Sequence, residues 1–308
     1  MEIRRLSDEL KRQFGQKVYK LSLSAGCTCP NRDGRVGTGG CTFCSEGGSG
    51  DFAASFCPID EQIEEARKKV DAKIPASIPP DQRKYIAYFQ SFTGTYGDVD
   101  RLRKIFTTAL NREEIVGLSV GTRPDCLEEE KVEMLRELNM KKPVWVELGL
   151  QTIHGDHINR CYDLPVYDEA VRKLTERGIR IVTHLILGLP GETKEDMMQS
   201  VRYVCGDPVF GLKLHLLNIV KGSPMETMYP GYTPFGSLEE YVQLVTDMLL
   251  IIPPEITIHR LTADVPRRML IAPEWSYKKR TILNGIAHEL KIRGAYQGQS
   301  VSDIRPSL

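Results

Sequence analysis

Apolar and polar positions along this chain alternate between two periods. Short runs that are apolar at every second residue, or nearly throughout, predict buried strands, and each is followed by a segment with apolar residues at helical spacing. This alternation predicts parallel strands joined by right-handed helical crossovers, in a barrel-like or a doubly wound sheet. The predicted strands are 18–24, 84–90, 114–120, 143–150, 178–187 and 211–219. The predicted helices are 58–70, 99–110, 127–138, 166–177, 194–204 and 238–251.

Two of the predicted strands carry polar side chains on the face opposite their apolar residues. A parallel strand is apolar where a helix covers it, so its polar face should look into the centre of the fold. On the fourth strand this face carries Glu147 and Gln151, which we expect at the level where ligands bind. On the sixth strand it carries Lys213 and His215, which suit a substrate carboxylate or phosphate, although a lone histidine is more often a core residue.

A glycine-containing turn joins the fifth predicted strand to its helix. Gly188 and Gly191 allow the backbone to approach a ligand closely. Thr193 and Asp196 have the spacing of a capping box and predict that the helix begins there.

The charges of the chain balance, with 41 basic and 41 acidic residues among 308. No global field therefore favours nucleic acid or an anionic membrane. We find no signal peptide and no apolar run long enough to span a membrane, so we expect a cytoplasmic protein without a membrane partner. Both ends are locally basic, with six basic against three acidic residues in 1–24 and nine against five in 255–308. These ends suit either a surface for RNA phosphates or ordinary solvated helix faces.

Four of the eight cysteines lie within residues 27–44. In a reducing cytosol such a cluster indicates a metal or redox site rather than a disulfide framework. Cys29, Cys41 and Cys44 alone suit a [4Fe-4S] cluster with one open iron, whereas the same three with Cys27 suit a closed zinc site. The cysteines by themselves leave both open. The remaining four are isolated, and we expect them to pack as apolar residues: Cys57, Cys126, Cys161 and Cys205.

Six short motifs lie in the cysteine loop and near the ends of predicted strands. They are 28–34 (TCPNRDG), 40–44 (GCTFC), 88–90 (YFQ), 121–125 (GTRPD), 147–152 (ELGLQT) and 258–262 (IHRLT). Jointly they resemble the radical SAM superfamily, and in particular its YhcC/YtqA-type family, relatives of the radical SAM domain of the Elongator catalytic subunit. The resemblance covers nearly the whole chain and includes the eleven residues between Cys29 and Cys41.

The resemblance implies an α/β fold, a partial (β/α)6 TIM-like barrel. Residues 1–236 would form the core, and residues 237–308 would be an extension that closes the open side and contributes to the substrate site. Cys29, Cys41 and Cys44 would hold the [4Fe-4S] cluster, whose open iron binds S-adenosylmethionine, and Cys27 would be a bystander. A reductant such as flavodoxin or ferredoxin would trigger cleavage of this cofactor to methionine and a 5′-deoxyadenosyl radical, which takes a hydrogen atom from the substrate.

Further residues match cofactor contacts of the family by position. Arg160 matches an arginine that pairs with the cofactor carboxylate, although the chain between Gln151 and Arg160 is about three residues shorter than usual. Candidate substrate residues are Lys213, His215, His259 and Arg260. The other implied contacts to S-adenosylmethionine are Phe43 beside the cluster, Gln90, Thr93 and Gly94 at the amino group, Gly121, Thr122, Glu147 and Gln151 at the ribose or methionine, and Leu187 and Gly188 along the adenine.

Kinship with the Elongator domain suggests that the substrate is tRNA. The specific hypothesis is that the enzyme modifies the wobble uridine side chain and converts carboxymethylaminomethyl uridine to aminomethyl uridine. A radical SAM enzyme acting on a small metabolite is the alternative within the same chemistry. A zinc or iron–sulfur binding protein or sensor that never cleaves the cofactor is the alternative of another class.

Overall fold

Seven parallel strands form a curved sheet, a half-barrel, around which the molecule is built. In the computed structural model, which describes residues 3–48, 50, 53, 56–155 and 162–301, these strands lie side by side in chain order. Because every neighbouring pair is parallel, the carboxyl ends share one edge. Their bounds are β1 Val18–Leu23, β2 Lys84–Phe89, β3 Ile115–Thr122, β4 Val144–Gln151, β5 Arg180–Leu187, β6 Gly211–Leu216 and β8 Thr257–Arg260. A separate antiparallel pair consists of β7 Ile219–Val220 and β9 Leu270–Ala272.

Helices cover the outer face of the half-barrel, which confirms the predicted α/β alternation. The apolar faces of β4 and β6 lie in the main hydrophobic core between the sheet and these helices, where full burial of one such side chain is worth about 1.5–3 kcal/mol. Thr193 begins the sixth helix with the predicted capping box. The helices are α1 Leu6–Phe14, α2 Ile59–Asp71, α3 Val99–Leu110, α4 Glu129–Asn139, α5 Leu164–Glu176, α6 Lys194–Cys205, α7 Pro224–Met228, α8 Leu238–Ile251 and α9 Lys279–Ile292.

The C-terminal segment contributes a strand to the sheet, where the sequence predicted six strands. β8 pairs with β6, and Ile258 N on β8 donates to Arg4 O at 2.7 Å. The sixth predicted strand ends earlier than expected, at Leu216. Leu217 N donates to Leu187 O at 2.9 Å, and the chain then leaves the sheet to form β7.

Helix α1, which the sequence analysis missed, lies at the amino-terminal end of the half-barrel. It contacts both β1 and β8, and Leu10 packs with the interior residues at the starts of four strands. These residues form an apolar layer that closes this end of the interior: Val18, Ile86, Trp145 and Val182. The strand residues above this layer are polar, and they position the site. No helix among the described residues is both long and apolar enough to cross a membrane.

Candidate active site

A cavity of about 720 Å³ lies within the half-barrel toward the carboxyl ends of its strands. One wall is the cysteine loop, residues 27–44. The other walls come from the segments that follow β2, β3 and β4 and from the C-terminal extension around Asp264. The cysteine loop and the motifs near the strand ends therefore meet in one concave space large enough for a cofactor and part of a substrate.

The cysteine loop is held by its own backbone. Cys29 O accepts from Arg32 N at 2.8 Å, Asn31 O accepts from Gly40 N at 2.8 Å, and Cys41 O accepts from Cys44 N at 3.0 Å. Gly40 has a φ of 90°, and a Cβ there would lie 2.8 Å from the Arg32 guanidinium. That guanidinium donates to Ser45 O at 2.6 Å, so Arg32 connects the start of the loop to the residue just after it. Position 40 requires glycine, because its φ is positive and a side chain there would clash with Arg32.

Three cysteines of this loop, none of them in a disulfide, line the cavity: Cys29, Cys41 and Cys44. Burial, together with the neighbouring Cys44 sulfur, raises the pKa of Cys41 to about 12, against a hydrogen bond from Asn31 Nδ2 to its Sγ at 3.2 Å. Such a thiol ionises when iron binds. No group of three or more His, Cys, Asp or Glu side chains in the described chain converges on a single metal ion. Three cysteines on one wall of the cavity fit an iron–sulfur cluster, in which each cysteine binds a different iron.

Cys27 faces away from the cavity. Its side chain is buried, with Sγ 3.8 Å from Gly94 O and 3.6 Å from the Arg101 guanidinium. This placement supports its interpretation as a bystander and removes the fourth thiolate that a closed zinc site would need.

The isolated cysteines differ from one another in burial. Cys126 is buried, as expected, but Cys57 and Cys205 are only half-buried. Cys205 still packs against the core, whereas Cys57 lies at the start of α2 outside the hydrophobic clusters of the described chain, so its predicted core packing is wrong. Cys161 lies outside the described residues.

Most of the residues implied to contact S-adenosylmethionine line the cavity. Gly94 does not, but its N–H donates to Gly121 O at 2.8 Å, and a Cβ there would lie 2.8 Å from the same oxygen. Leu187 packs on the helix side of the sheet and Gly188 lies beneath Phe235; the cavity is lined instead by Ile186. Arg160 lies outside the described residues. Those that line the cavity are Phe43, Gln90, Thr93, Gly121, Thr122, Glu147 and Gln151.

Two cavity-lining residues other than glycine have left-handed backbone conformations. Phe92 follows β2 with a φ of 56°, and Gln151 ends β4 with a φ of 73°. Each such conformation costs about 1–3 kcal/mol and persists where surrounding contacts impose it. Phe92 N donates to Gly48 O at 2.9 Å, and a Cβ on Gly48 would overlap the Phe92 ring. The strained backbone at Phe92 therefore lies where the segment that follows the cysteine loop docks onto the end of β2.

The deepest part of the cavity is a charged cluster, which we call the cavity floor. Its centre is Glu147, which is 1% exposed. Oε1 accepts from Lys20 Nζ at 2.8 Å and from Ser119 Oγ at 2.6 Å. Oε2 accepts from Lys213 Nζ and lies 2.9 Å from His184 Nε2. The floor consists of Lys20, Tyr88, Glu147, His184, Lys213, His215 and Arg260, all of which except Lys213 line the cavity.

Burial and neighbouring charges shift the pKa values of the floor in opposite directions. Burial opposes ionisation of Glu147, but the charges of Lys20 and Lys213 outweigh it and hold its pKa well below the usual range. Burial lowers the pKa of Lys213 to about 7 despite the attraction of Glu147. Burial and the charge of Lys213 lower the pKa of His184 to about 4. The floor therefore contains an ionised carboxylate, a lysine whose pKa lies near 7 and a neutral imidazole.

The four candidate substrate residues lie at different depths. His215 and Arg260 line the cavity, and Lys213 lies just beneath them. His259 lies lower, in a cavity of about 10 Å³ beside Trp145, with its ring edge-on to Phe210 at 5.5 Å. The structure thus brings Lys213, His215 and Arg260 together and separates His259 from them.

Several cavity residues were missed as candidates from the sequence. Arg123 lines the cavity and forms two hydrogen bonds to Asp125, at 2.9 and 2.7 Å, within a motif already recognised. Lys20 was detectable, because alternation along β1 places it on the same face as Val18 and Ser22. Polar interior positions were predicted only on the fourth and sixth strands.

The sequence matches known radical SAM families over most of its length. Residues 31–204 match the Radical SAM superfamily, and residues 209–292 match the Radical_SAM C-terminal domain. The first match begins two residues after Cys29 and contains the other two cavity cysteines.

Relatives and a solved structure agree with this assignment. YtqA of Bacillus subtilis is 45% identical over 299 residues, 96% of this chain and 91% of that protein. A tRNA uridine(34) acetyltransferase of Dehalococcoides mccartyi is 30% identical over 178 residues, 55% of this chain and 38% of that protein. The archaeal Methanocaldococcus infernus Elp3 with an N-terminal deletion is similar in fold, with a TM-score of 0.66 at 15% identity, over 91% of this chain and 64% of that one. The chain belongs to the radical SAM superfamily, in its YhcC/YtqA-type family, and is a radical SAM enzyme with a [4Fe-4S] cluster and S-adenosylmethionine as cofactors.

Proposed function

We propose that this enzyme acts on the wobble uridine of tRNA and converts its carboxymethylaminomethyl side chain to aminomethyl. The observation that carries the proposal is the cavity itself. Three cysteines line one wall, and a floor rich in lysine and arginine lies below them. Such a floor suits a substrate whose reacting end carries a carboxylate.

The cysteine wall and the segments after β2, β3 and β4 would hold the cofactors. Cys29, Cys41 and Cys44 supply the thiolates, and Gln90 and Thr93 belong to the same cavity lining, with Thr93 N donating to Thr28 O at 3.3 Å. When bound, the cluster and S-adenosylmethionine supply a 5′-deoxyadenosyl group able to remove an unactivated hydrogen atom. The task of the chain is to orient the side chain of the substrate and to exclude water and oxidants. An electron carrier such as flavodoxin or ferredoxin supplies the reducing electron.

The conversion balances without a further oxidant. The carbon between the side-chain nitrogen and the carboxylate would lose one hydrogen atom to the 5′-deoxyadenosyl group and one electron to the oxidised cluster, which replaces the electron used to cleave S-adenosylmethionine and leaves an iminium group. Water adds to this group, and the carbon–nitrogen bond breaks to release aminomethyl uridine, glyoxylate and a proton. Overall, one S-adenosylmethionine and one water are consumed, and methionine and 5′-deoxyadenosine are formed. Glyoxylate and 5′-deoxyadenosine should therefore appear in equal amounts.

Support for tRNA comes from a relative and from charge. The Dehalococcoides mccartyi protein that is similar over about half of this chain is named for uridine 34 of tRNA. Among the charged side chains of the described residues that line the cavity, seven are basic and two are acidic, although the whole chain is neutral. This local excess attracts an anionic substrate.

Nucleoside analysis of tRNA tests the proposal. In a strain that lacks this protein, we expect carboxymethylaminomethyl uridine to accumulate at the wobble position, and we expect the wild-type protein, but not the Cys41→Ala variant, to restore aminomethyl uridine. Unchanged wobble uridines would overturn the tRNA assignment. If a low-molecular-weight metabolite accumulates instead, the small-metabolite alternative is correct.

A further inference from the structure

The charges of the cavity do not balance. Among the described residues, the basic side chains that line it are Lys20, Arg32, Lys69, Lys73, Arg123, Arg260 and Lys279, against the acidic Glu147 and Asp264. Lys69, Arg123 and Lys279 are already paired, with Glu65, Asp125 and Asp264 respectively, so the positive charge left to be balanced deep in the cavity is that of the floor. Buried charges are costly unless they are paired, so partly paired cations in a concave site favour an anionic ligand.

Glu147 neutralises only part of the floor and has no capacity left. A carboxylate has about four acceptor positions. Four donors already occupy the two oxygens of Glu147, from Lys20, Ser119, Lys213 and His184. Because of this saturation, a ligand hydroxyl could bind Glu147 only by displacing one of these donors. Glu147 thus serves as the internal counter-ion of the floor, and two lysines share its single charge.

Two cations of the floor line the cavity and remain partly exposed to it. The Lys20 ammonium has three N–H donors, of which one bonds Glu147, and its side chain is 26% exposed. The Arg260 guanidinium, also 26% exposed, contacts Asp264 at 3.4 Å within the described chain. β8 pairs Arg260 with Lys213 across the sheet, and the charge of Arg260 acts on Tyr88, His184 and His215. The charges of both cations therefore act on the same part of the cavity, its floor.

We propose that Lys20 and Arg260 form a receptor for the carboxylate of the substrate side chain on the cavity floor. The inference rests on the proposed function and deepens it, because it assigns the residues that recognise carboxymethylaminomethyl rather than aminomethyl uridine. A carboxylate placed between these groups supplies the negative charge that Glu147 alone does not. Loss of that carboxylate in the product removes the attraction, which favours product release over product retention.

Direct binding of a small probe tests the receptor without tRNA and without turnover. The probe is N-methylglycine, and its neutral-tail counterpart is N-methylglycinamide; binding of each to the protein reconstituted with cluster and S-adenosylmethionine is followed by ligand-observed NMR. We expect the carboxylate to bind about tenfold or more tightly than the amide, as charge-assisted hydrogen bonds require. This preference should be lost in Lys20→Met and Arg260→Met. It should persist in Lys17→Met, an exposed lysine of the same region, and in part in Arg260→Lys.

The outcomes separate this receptor from the wobble-uridine proposal. Equal binding of both probes, absence of saturable binding, or a preference that survives in Lys20→Met and Arg260→Met would each overturn the receptor. None of these results changes the nucleoside analysis, which stands or fails by itself. Conversely, unchanged wobble uridines together with a probe preference that depends on Lys20 and Arg260 would keep the receptor and move it to another carboxylate-bearing substrate.

Discussion

The cysteine loop and the cavity floor meet in one cavity, but the chain builds them in opposite ways. The loop is contiguous, and its own backbone hydrogen bonds and glycines shape it. The floor joins side chains from six strands, so that Lys20 and Glu147 are in contact although they lie 127 positions apart in the chain. A contiguous loop can change without disturbing the sheet, whereas the floor is part of the barrel interior. Substitutions in the loop should therefore mainly reduce catalytic activity, whereas substitutions in the floor should mainly lower the free energy of unfolding.

Substitution of a cavity cysteine should produce the largest effect. Cys29→Ala, Cys41→Ala and Cys44→Ala each remove one thiolate, and we expect each to lose the broad absorption near roughly 400 nm of an iron–sulfur cluster and to form 5′-deoxyadenosine only at background level. Urea unfolding of the metal-free protein should change little. Cys27→Ala is the matched control and should keep both signals. If Cys27→Ala also lost the cluster, the three-ligand assignment would be wrong.

The next largest effect should come from the centre of the floor. Glu147→Gln leaves two lysines without their counter-ion, and removal of one partner of a buried ion pair costs about 3–5 kcal/mol of unfolding free energy. Urea unfolding measures this loss. Glu133→Gln, which breaks an exposed ion pair with Arg136 on α4, should leave stability almost unchanged. Equal effects of the two substitutions would contradict the view that the floor stabilises the barrel.

A smaller effect on chemistry should follow from Asn31→Ala. Asn31 is fully buried, and its Nδ2 donates to Cys41 Sγ at 3.2 Å. Groups that orient metal ligands in this way are worth about 10–100-fold in metal affinity or activity. We expect iron retention during dialysis against a chelator to fall by that factor, with Asn111→Ala at the exposed end of α3 as control. Equal retention in the two variants would remove Asn31 from the site.

The most gradual effect should be the pH dependence of stability. The pKa of His184 is lowered to about 4 in the folded chain, from an ordinary value of 6.5, so between these values the unfolded chain binds a proton that the folded chain does not. Stability should therefore fall as the pH drops from about 6.5 to about 4, by at most about 1.4 kcal/mol per pH unit for this group. Urea unfolding across this window should show a flatter profile for His184→Gln. An unchanged slope would exclude His184 as a contributor.

The sequence analysis succeeded where the signal was local or periodic. Alternation placed Glu147 and His215 on the inner face, and the Thr193 box marked the start of its helix. It failed where the partner was distant. Helix α1 and the seventh strand depend on packing between the two ends of the chain, which no local pattern records. Likewise, Lys20 was missed because Glu147 and Arg260, with which it shares the cavity floor, lie on other strands, and a strand-by-strand analysis does not bring them together.

The hydrogen bonds between Arg4 and the segment 253–297 have a consequence for folding during biosynthesis. Arg4 N donates to Gln297 Oε1 at 2.9 Å, and Gln297 Nε2 donates to Pro253 O and Ile256 O at 2.8 Å. A domain emerging from the ribosome amino end first therefore cannot seal the base of its barrel until almost all of these residues have been translated. Arg260 joins the interior in the same late step. The interior that surrounds the cavity floor is thus completed in a late step of folding, once residues 253–297 have joined the base.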